Sequence, residues 1–168
     1  RKISQMDTIM TRDFERLRQR LGTEALPIEY FIDEGSIRYF ANSLMYDDSD
    51  YRGSETACSP TAGAVAAPAT FFGSAIGVRD IPAGDERTMS ALDLPFPTDW
   101  VRLATGDEFE FYSPVTAGMI LVCRERLIDI YEKHGRSGRL VFYSIEKTFQ
   151  TRAGEPVLRR VLHCAARE

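Results

Sequence analysis

Cysteine and histidine are scarce in this sequence of 168 residues, which holds three cysteines and two histidines. The cysteines Cys58, Cys123 and Cys164 are widely spaced and form no C-x-x-C pair. An odd number at such spacing argues against a disulfide framework and against a zinc site. We therefore expect reduced, buried cysteines, and we expect neither a metal ion nor a cofactor.

Long apolar runs and an excess of positive charge are also missing. No apolar stretch approaches the roughly 18 residues of a membrane span, and no charged-then-apolar leader precedes the first predicted helix. The net charge is −4, with acidic and basic residues mixed along the chain, which excludes a uniformly basic face for nucleic acid. We expect a soluble, cytoplasmic protein without a nucleic-acid or membrane partner. The mixed charge still permits a phosphate-bearing small molecule as ligand.

The composition, 43% hydrophobic and 27% charged, suits one ordinary core. Apolar residues recur at helical spacing from Met6 to Leu21, and Asp7 is able to cap the start of this helix. We interpret residues 1–25 as an N-terminal amphipathic helix ahead of a single domain over residues 26–168.

A second helix is predicted after a short aromatic and β-branched stretch at residues 26–32. Asp33 suits the N-cap of this helix, whose apolar positions are Ile37, Phe40, Ala41 and Leu44. The helix ends in L-M-Y-D-D-S-D-Y-R, residues 44–52, which packs three carboxylates and two phenols into nine residues. This cluster is either a candidate site or a polar turn.

The middle of the chain combines an apolar helix with a long loop. Pro68 is well placed as the first residue of a central helix that runs to about residue 77. Residues 78–100 carry proline, glycine and aspartate without periodicity, which predicts a loop. Loops of this length in compact domains are often functional.

The last third of the chain alternates between strand-like runs and turns. Four strands are predicted at residues 107–112, 119–131, 140–151 and 156–166. Because short turns join antiparallel neighbours, each strand should lie beside the next. An apolar helix followed by such strands predicts an α+β fold in which an antiparallel sheet wraps around the helix.

Several short motifs occur once each along the chain, in a specific order. They are I-E-Y at residues 28–30, Y-F-A at 39–41, A-P-A-T-F at 67–71, F-E-F-Y-S-P-V at 109–115 and G-R-S-G at 135–138, followed by L-V-F. In their order and spacing the sequence resembles the MaoC-like dehydratase family, in particular the N-terminal type of its hot-dog domain. The resemblance runs from about Leu26 to Ala166 and implies an antiparallel sheet wrapped around one central helix.

The resemblance also implies an activity, the addition or removal of water across the α,β double bond of an acyl thioester. Active family members provide the proton-transferring groups as an Asp and a His within G-D-x-N-P-x-H, after the helix that precedes the central one. Aligned without a gap, Met45 replaces the glycine, Tyr46 the aspartate and Tyr51 the histidine. Both catalytic positions are therefore changed.

Neighbouring residues do not restore this dyad. Placing Asp47 or Asp48 at the acidic position leaves Arg52 or Gly53 five residues on, and neither shuttles a proton near neutral pH as imidazole does. Asp47 and Asp48 are thus candidates for catalysis or members of a solvated turn. Tyr51, a residue common at this position in the N-terminal-type domains, is expected to face the acyl tunnel.

The two histidines lie elsewhere in the sequence. His134 is placed in a turn, where a solvated residue is expected, and His163 falls inside the final strand, as a core or edge residue.

Small residues before the central helix suggest where a thioester would lie. Ala67 and Ala69, ahead of Thr70, would let backbone amides approach the thioester oxygen, and the helix dipole favours the negative charge that develops there. Equally, such residues permit tight helix-to-sheet packing. Phe71 is expected in the core, bordering the acyl channel.

Basic residues surround the turn near residue 136. Lys133, Arg136 and Arg139 are able to reach the phosphates of coenzyme A or a phosphopantetheine arm. A solvated turn is the alternative. The substrate-binding candidates from the sequence are Tyr51, Ala67, Ala69, Thr70, Phe71 and Arg136.

The family's substrate sites lie between two hot-dog domains, so one domain is half of a working unit. In a first interpretation, this chain shapes the acyl tunnel for an acyl-CoA or acyl-carrier thioester, while a second hot-dog subunit supplies Asp and His. In a second, a homodimer binds acyl-CoA or another apolar ligand without chemistry. In a third, a homodimer is active through Asp47, Asp48 and Tyr51. We favour the first.

Overall fold

The computed structural model describes residues 14–46, 65–73, 92, 94–135 and 138–167. The elements are β1 (Ile28–Phe31), α1 (Glu34–Ser43), a short 3-10 helix η1 (Ala69–Gly73), β2 (Val101–Phe111), β3 (Ile120–Gly135), β4 (Gly138–Thr151) and β5 (Pro156–Arg167). Residues 14–18 are helical as well, but residues 19–22 form a turn and Glu24 bridges to Arg126, so the predicted N-terminal helix ends earlier than expected. Residues 1–13 lie outside the described residues.

The five strands form one antiparallel sheet in the order β1-β3-β4-β5-β2. The predicted neighbours β3, β4 and β5 are confirmed, but the expectation that β2 lies beside β3 is wrong. Since β1 and β4 occupy both sides of β3, β2 pairs instead with β5 and forms the far edge of the sheet. The turn at residues 113–118 therefore crosses the end of the sheet instead of closing a hairpin.

Local sequence signals explain α1. Asp33 caps the helix as predicted, because its carboxylate accepts a hydrogen bond from the Ser36 amide at 2.8 Å. Ile37 and Ala41 are fully buried on the inner face. Leu44, expected on the apolar face, is instead the C-cap and is 47% exposed.

Strand boundaries differ from the prediction at two points. β2 begins at Val101, six residues before the expected residue 107, and β3 continues to Gly135. His134 therefore lies at the end of a strand rather than in a turn. Cys123 and Cys164 are free and buried, as predicted, and burial raises the pKa of the Cys123 thiol to about 12. Cys58 lies outside the described residues.

One face of the sheet carries most of the core, in two apolar clusters. The first, around Phe71, Phe72 and Phe149, packs α1 and η1 against the sheet. The second surrounds Tyr143 and Leu162 nearer the opposite end of the strands. Burial of Phe71 agrees with the prediction, whereas the rest of the central helix predicted after Thr70 lies outside the described residues. No helix in the described ranges is long and apolar enough to cross a membrane.

Candidate active site

The C-terminus of α1 closes with a left-handed residue. Met45 has φ 56°, its amide donates to the Asn42 carbonyl at 3.1 Å, and the Tyr46 amide donates to the Ala41 carbonyl at 3.0 Å. These two bonds make a Schellman motif, whose left-handed position is usually a glycine. In the ungapped alignment predicted from the sequence, Met45 takes the place of the motif's glycine and Tyr46 that of its aspartate, and this alignment stays a prediction.

Tyr46 directly follows this turn and is 37% exposed. Asp47, Asp48 and Tyr51 lie outside the described residues. Of the cluster at residues 44–52, the structure therefore describes only residues 44–46, which follow the capped end of α1.

The segment before η1 is held by backbone pairing. The Ala67 amide donates to the Val115 carbonyl at 2.8 Å, and the Ala117 amide donates to the Val65 carbonyl at 2.9 Å. Because its amide is already bonded within the fold, Ala67 is a poor donor for a thioester oxygen. Ala69 and Thr70, at the first turn of η1, are exposed.

Aromatic packing joins α1 to η1. Phe40 of α1 meets Phe71 edge-on, with ring centroids 5.6 Å apart, and Phe71 meets Phe72 in the same way at 5.7 Å. Phe72 in turn packs on Phe149 of β4 at 5.3 Å. The helix that precedes Tyr46 and the segment that carries Thr70 are therefore parts of one cluster.

An arginine that the sequence analysis did not select holds the far end of η1. Arg160 on β5 donates from Nη1 to the Phe72 carbonyl at 2.6 Å and from Nε to Asp107 at 2.6 Å. Its guanidinium also lies over the Phe109 ring, 5.5 Å from the centroid. The sequence of β5 carried a signal for this role. Arg160 lies two residues from both Leu158 and Leu162, which face inward, so the alternation of the strand predicts that Arg160 faces inward as well.

A buried ion pair lies beside this arginine. Lys147 Nζ is 2.8 Å from Glu125 Oε1, and the two residues are 8% and 2% exposed. Glu125, Lys147 and Arg160 are successive cross-strand partners on β3, β4 and β5. This charged row separates the two apolar clusters of the inner face.

Among the basic residues near the turn, Arg139 differs from both expectations. Arg139 is neither solvated nor directed at a ligand, because it is 9% exposed and its Nη2 lies 2.6 Å from the Glu132 carboxylate. Its guanidinium also faces the Phe14 ring at 5.5 Å. Lys133 lies over two aromatic rings of the sheet, and Arg136 lies outside the described residues.

Neither histidine belongs to the first apolar cluster, into which α1 packs. His134 is separated from Leu121, which packs in the first cluster, by thirteen residues of β3, or roughly 40 Å at about 3.3 Å per residue. His163 hydrogen-bonds with residues on the opposite face of the sheet.

An antiparallel sheet in the order β1-β3-β4-β5-β2 with few helices is the hot-dog fold, of class α+β. The sequence matches the family model described as "FAS1-like, dehydratase domain region" over residues 19–160. The chain therefore belongs to this family of dehydratase domains. Comparison with curated protein sequences gave no match.

Solved structures share this fold at low sequence identity. A "MaoC-like dehydratase" superposes with a TM-score of 0.69 at 21% identity, over 89% of this chain and 42% of that one. The C-terminally truncated HadBC (3R-hydroxyacyl-ACP dehydratase) complex from Mycobacterium tuberculosis gives 0.65 and 19%, over 87% and 96%. The ChsH1–ChsH2 complex from the same organism gives 0.67 and 14%, over 93% and 91%.

Proposed function

We propose that this chain is a subunit of a MaoC-like enoyl-thioester hydratase or 3-hydroxyacyl-thioester dehydratase, in which a partner hot-dog domain supplies the Asp and His. The observation that carries the proposal is the left-handed Met45 followed by Tyr46, since a phenol stands where the family has its carboxylate. The chain then contributes the walls of the acyl tunnel rather than the proton carriers.

The hydration reaction needs three kinds of group, which the two subunits must supply between them. One group must deprotonate water, a second must exchange a proton at the α-carbon, and donors must stabilise the enolate that develops on the thioester oxygen. Within our proposal the partner provides the first two.

Ala69 and Thr70 are exposed at the first turn of η1, which supports them as contacts of this chain with the thioester. Tyr51, Phe71 and Arg136 are proposed as further substrate contacts, from the sequence for Tyr51 and Arg136 and from its position within η1, next to Thr70, for Phe71. The Ala67 side chain borders the same segment, while its amide is committed to Val115.

Exposed apolar surface supports a second subunit. Tyr39 and Met45, at the end of α1, are 79% and 87% exposed, and Leu44 between them is 47% exposed. β2 adds an eleven-residue strand at the edge of the sheet, and sheet edges are commonly covered or paired in native assemblies. Two of the similar structures, HadBC and ChsH1–ChsH2, are themselves complexes.

The test compares hydration of crotonyl-CoA and longer enoyl thioesters by the purified chain and by the chain co-expressed with a His-containing hot-dog subunit. We expect activity only in the co-expressed complex, because loss of each acid-base group costs on the order of a hundredfold to ten-thousandfold. Full turnover by the lone chain contradicts the proposal. Binding of the thioester by a homodimer, with no turnover in any combination, supports a non-catalytic binding protein instead.

A further inference from the structure

The outer face of the sheet carries a hydrogen-bonded serine, histidine and glutamate. Ser144 Oγ lies 2.9 Å from His163 Nδ1, and His163 Nε2 lies 3.1 Å from Glu108 Oε1. The three residues stand on β4, β5 and β2, and Ser144 and His163 are direct cross-strand partners. They face away from Phe149 and the inner clusters, because residues 144 and 149 have opposite parity along β4.

The direction of the two bonds follows from the chemistry of the groups. A carboxylate only accepts, so Nε2–H donates to Glu108 and leaves Nδ1 as the acceptor in neutral imidazole. The Ser144 hydroxyl then donates to Nδ1. A hydroxyl bonded to a base that is oriented by a third group is the arrangement that activates a nucleophile.

A cavity of about 290 Å³ opens over Ser144 and His163. Ser144 and His163 line it together with Thr105 and Gly106, where a register shift between Ala104 and Gly106 bends β2. Such bulges often lie beside functional sites. Ser144 is 8% exposed, so its hydroxyl meets only what enters this cavity.

An aromatic wall completes the cavity. Tyr131 and Phe142 line it with their rings stacked at 5.2 Å, and Lys133 lies over both rings. The wall suits an apolar acyl or aryl group, and because Glu108 beside His163 and Lys133 over the wall have opposite charges, the site favours neither an anionic nor a cationic donor.

We propose that Ser144, His163 and Glu108 form an acyl-accepting site for small, uncharged esters or thioesters, separate from the family's dehydratase site. Ser144 Oγ attacks the acyl carbon and forms an O–C bond while the bond from that carbon to the leaving oxygen or sulfur breaks. The hydroxyl proton passes to His163 Nδ1 and then to the leaving group or to water. Glu108 stabilises the imidazolium that forms in between. Water, activated by the same imidazole, hydrolyses the acyl-serine.

The probe is p-nitrophenyl acetate, added to the full chain, with the acetylated residue located by peptide mass spectrometry. We expect acetyl-Ser144, and we expect His163→Gln to slow its formation by about a hundredfold or more. Glu108→Gln should also slow it, to a smaller extent. The matched control is His134→Gln, since this second histidine is exposed on β3 and contacts none of the three residues at hydrogen-bond distance.

Acetylation confined to lysines, or a Ser144 rate unchanged in His163→Gln, would overturn the proposal. Ser144→Cys provides a second measurement, because it keeps a small nucleophile in the same position and should fold like the unchanged chain. Its alkylation by iodoacetamide should be faster with His163 than with His163→Gln, and buried Cys123, which does not line the cavity, serves as the internal reference. Equal rates would contradict the proposed activation.

Discussion

Arg160 Nη1 donates to the Phe72 carbonyl at 2.6 Å and so ties β5 to η1. Because η1 carries the exposed Thr70, this bond positions the segment that we assign to the thioester. The bond is internal to the chain, whereas the chemistry is proposed to depend on a partner.

Removal of this bond should impair turnover more than substrate binding. In the active complex, Arg160→Gln should lower kcat for enoyl-thioester hydration by roughly a hundredfold, because small misplacements of substrate-positioning groups have effects of that order. Arg152→Gln is the matched control, since Arg152 pairs with Glu29 in an exposed bridge outside this segment. Equal losses in both variants, or no loss in either, would exclude a positioning role for Arg160.

The left-handed conformation of Met45 predicts an unusual effect of glycine. Met45→Gly should stabilise the protein by about 0.5–1 kcal/mol, because a residue with a Cβ pays a conformational penalty at positive φ that exceeds the entropy glycine adds to the unfolded chain. Leu44→Gly, one residue earlier at φ −94°, should destabilise it. Urea unfolding measures both changes, and the same sign for both would contradict the observed backbone.

The pair Glu125–Lys147 should respond differently to single and double substitution. Lys147→Met leaves a buried carboxylate without its ammonium and should cost about 3–5 kcal/mol of unfolding free energy, whereas Glu125→Leu/Lys147→Met should recover most of that loss. The exposed carboxylate Glu34 is the control, and Glu34→Gln should change stability by less than about 0.5 kcal/mol. A mild single variant would show that water reaches the pair.

Local chemistry made much of the fold predictable. Asp33, as an N-cap, predicts the start of α1, and the turns between β3, β4 and β5 predict that these strands pair. The place of β2 was not predictable in this way, because it depends on which strand edges remain open after the others have paired. The burial of Arg139 was not predictable from the sequence, because Glu132 and the Phe14 ring compensate for it only once the chain is folded.

The candidate site was likewise predictable only in part. The motif resemblance predicts that Tyr46 occupies the position of the family's aspartate, but the methionine at position 45 gives no signal of its left-handed conformation. Arg160 and the serine–histidine–glutamate arrangement depend on the register between β2 and β5, which are distant in sequence; this register brings Glu108 within hydrogen-bond distance of His163. From the sequence, the alternation of β5 indicated only that Arg160 faces inward and that His163 faces outward.

The acidic cluster after α1 provides the last prediction. If the partner supplies the proton carriers, then Asp47→Asn, Asp48→Asn and Tyr51→Phe should each lower hydration by the complex only modestly, by less than about tenfold, while substitution of the partner's catalytic histidine should lower it by a hundredfold or more. A loss of three orders of magnitude in Tyr51→Phe would instead make this phenol a proton carrier. Turnover by the lone chain, abolished by either aspartate change, would show that the cluster is itself the working site and that its missing histidine has been replaced.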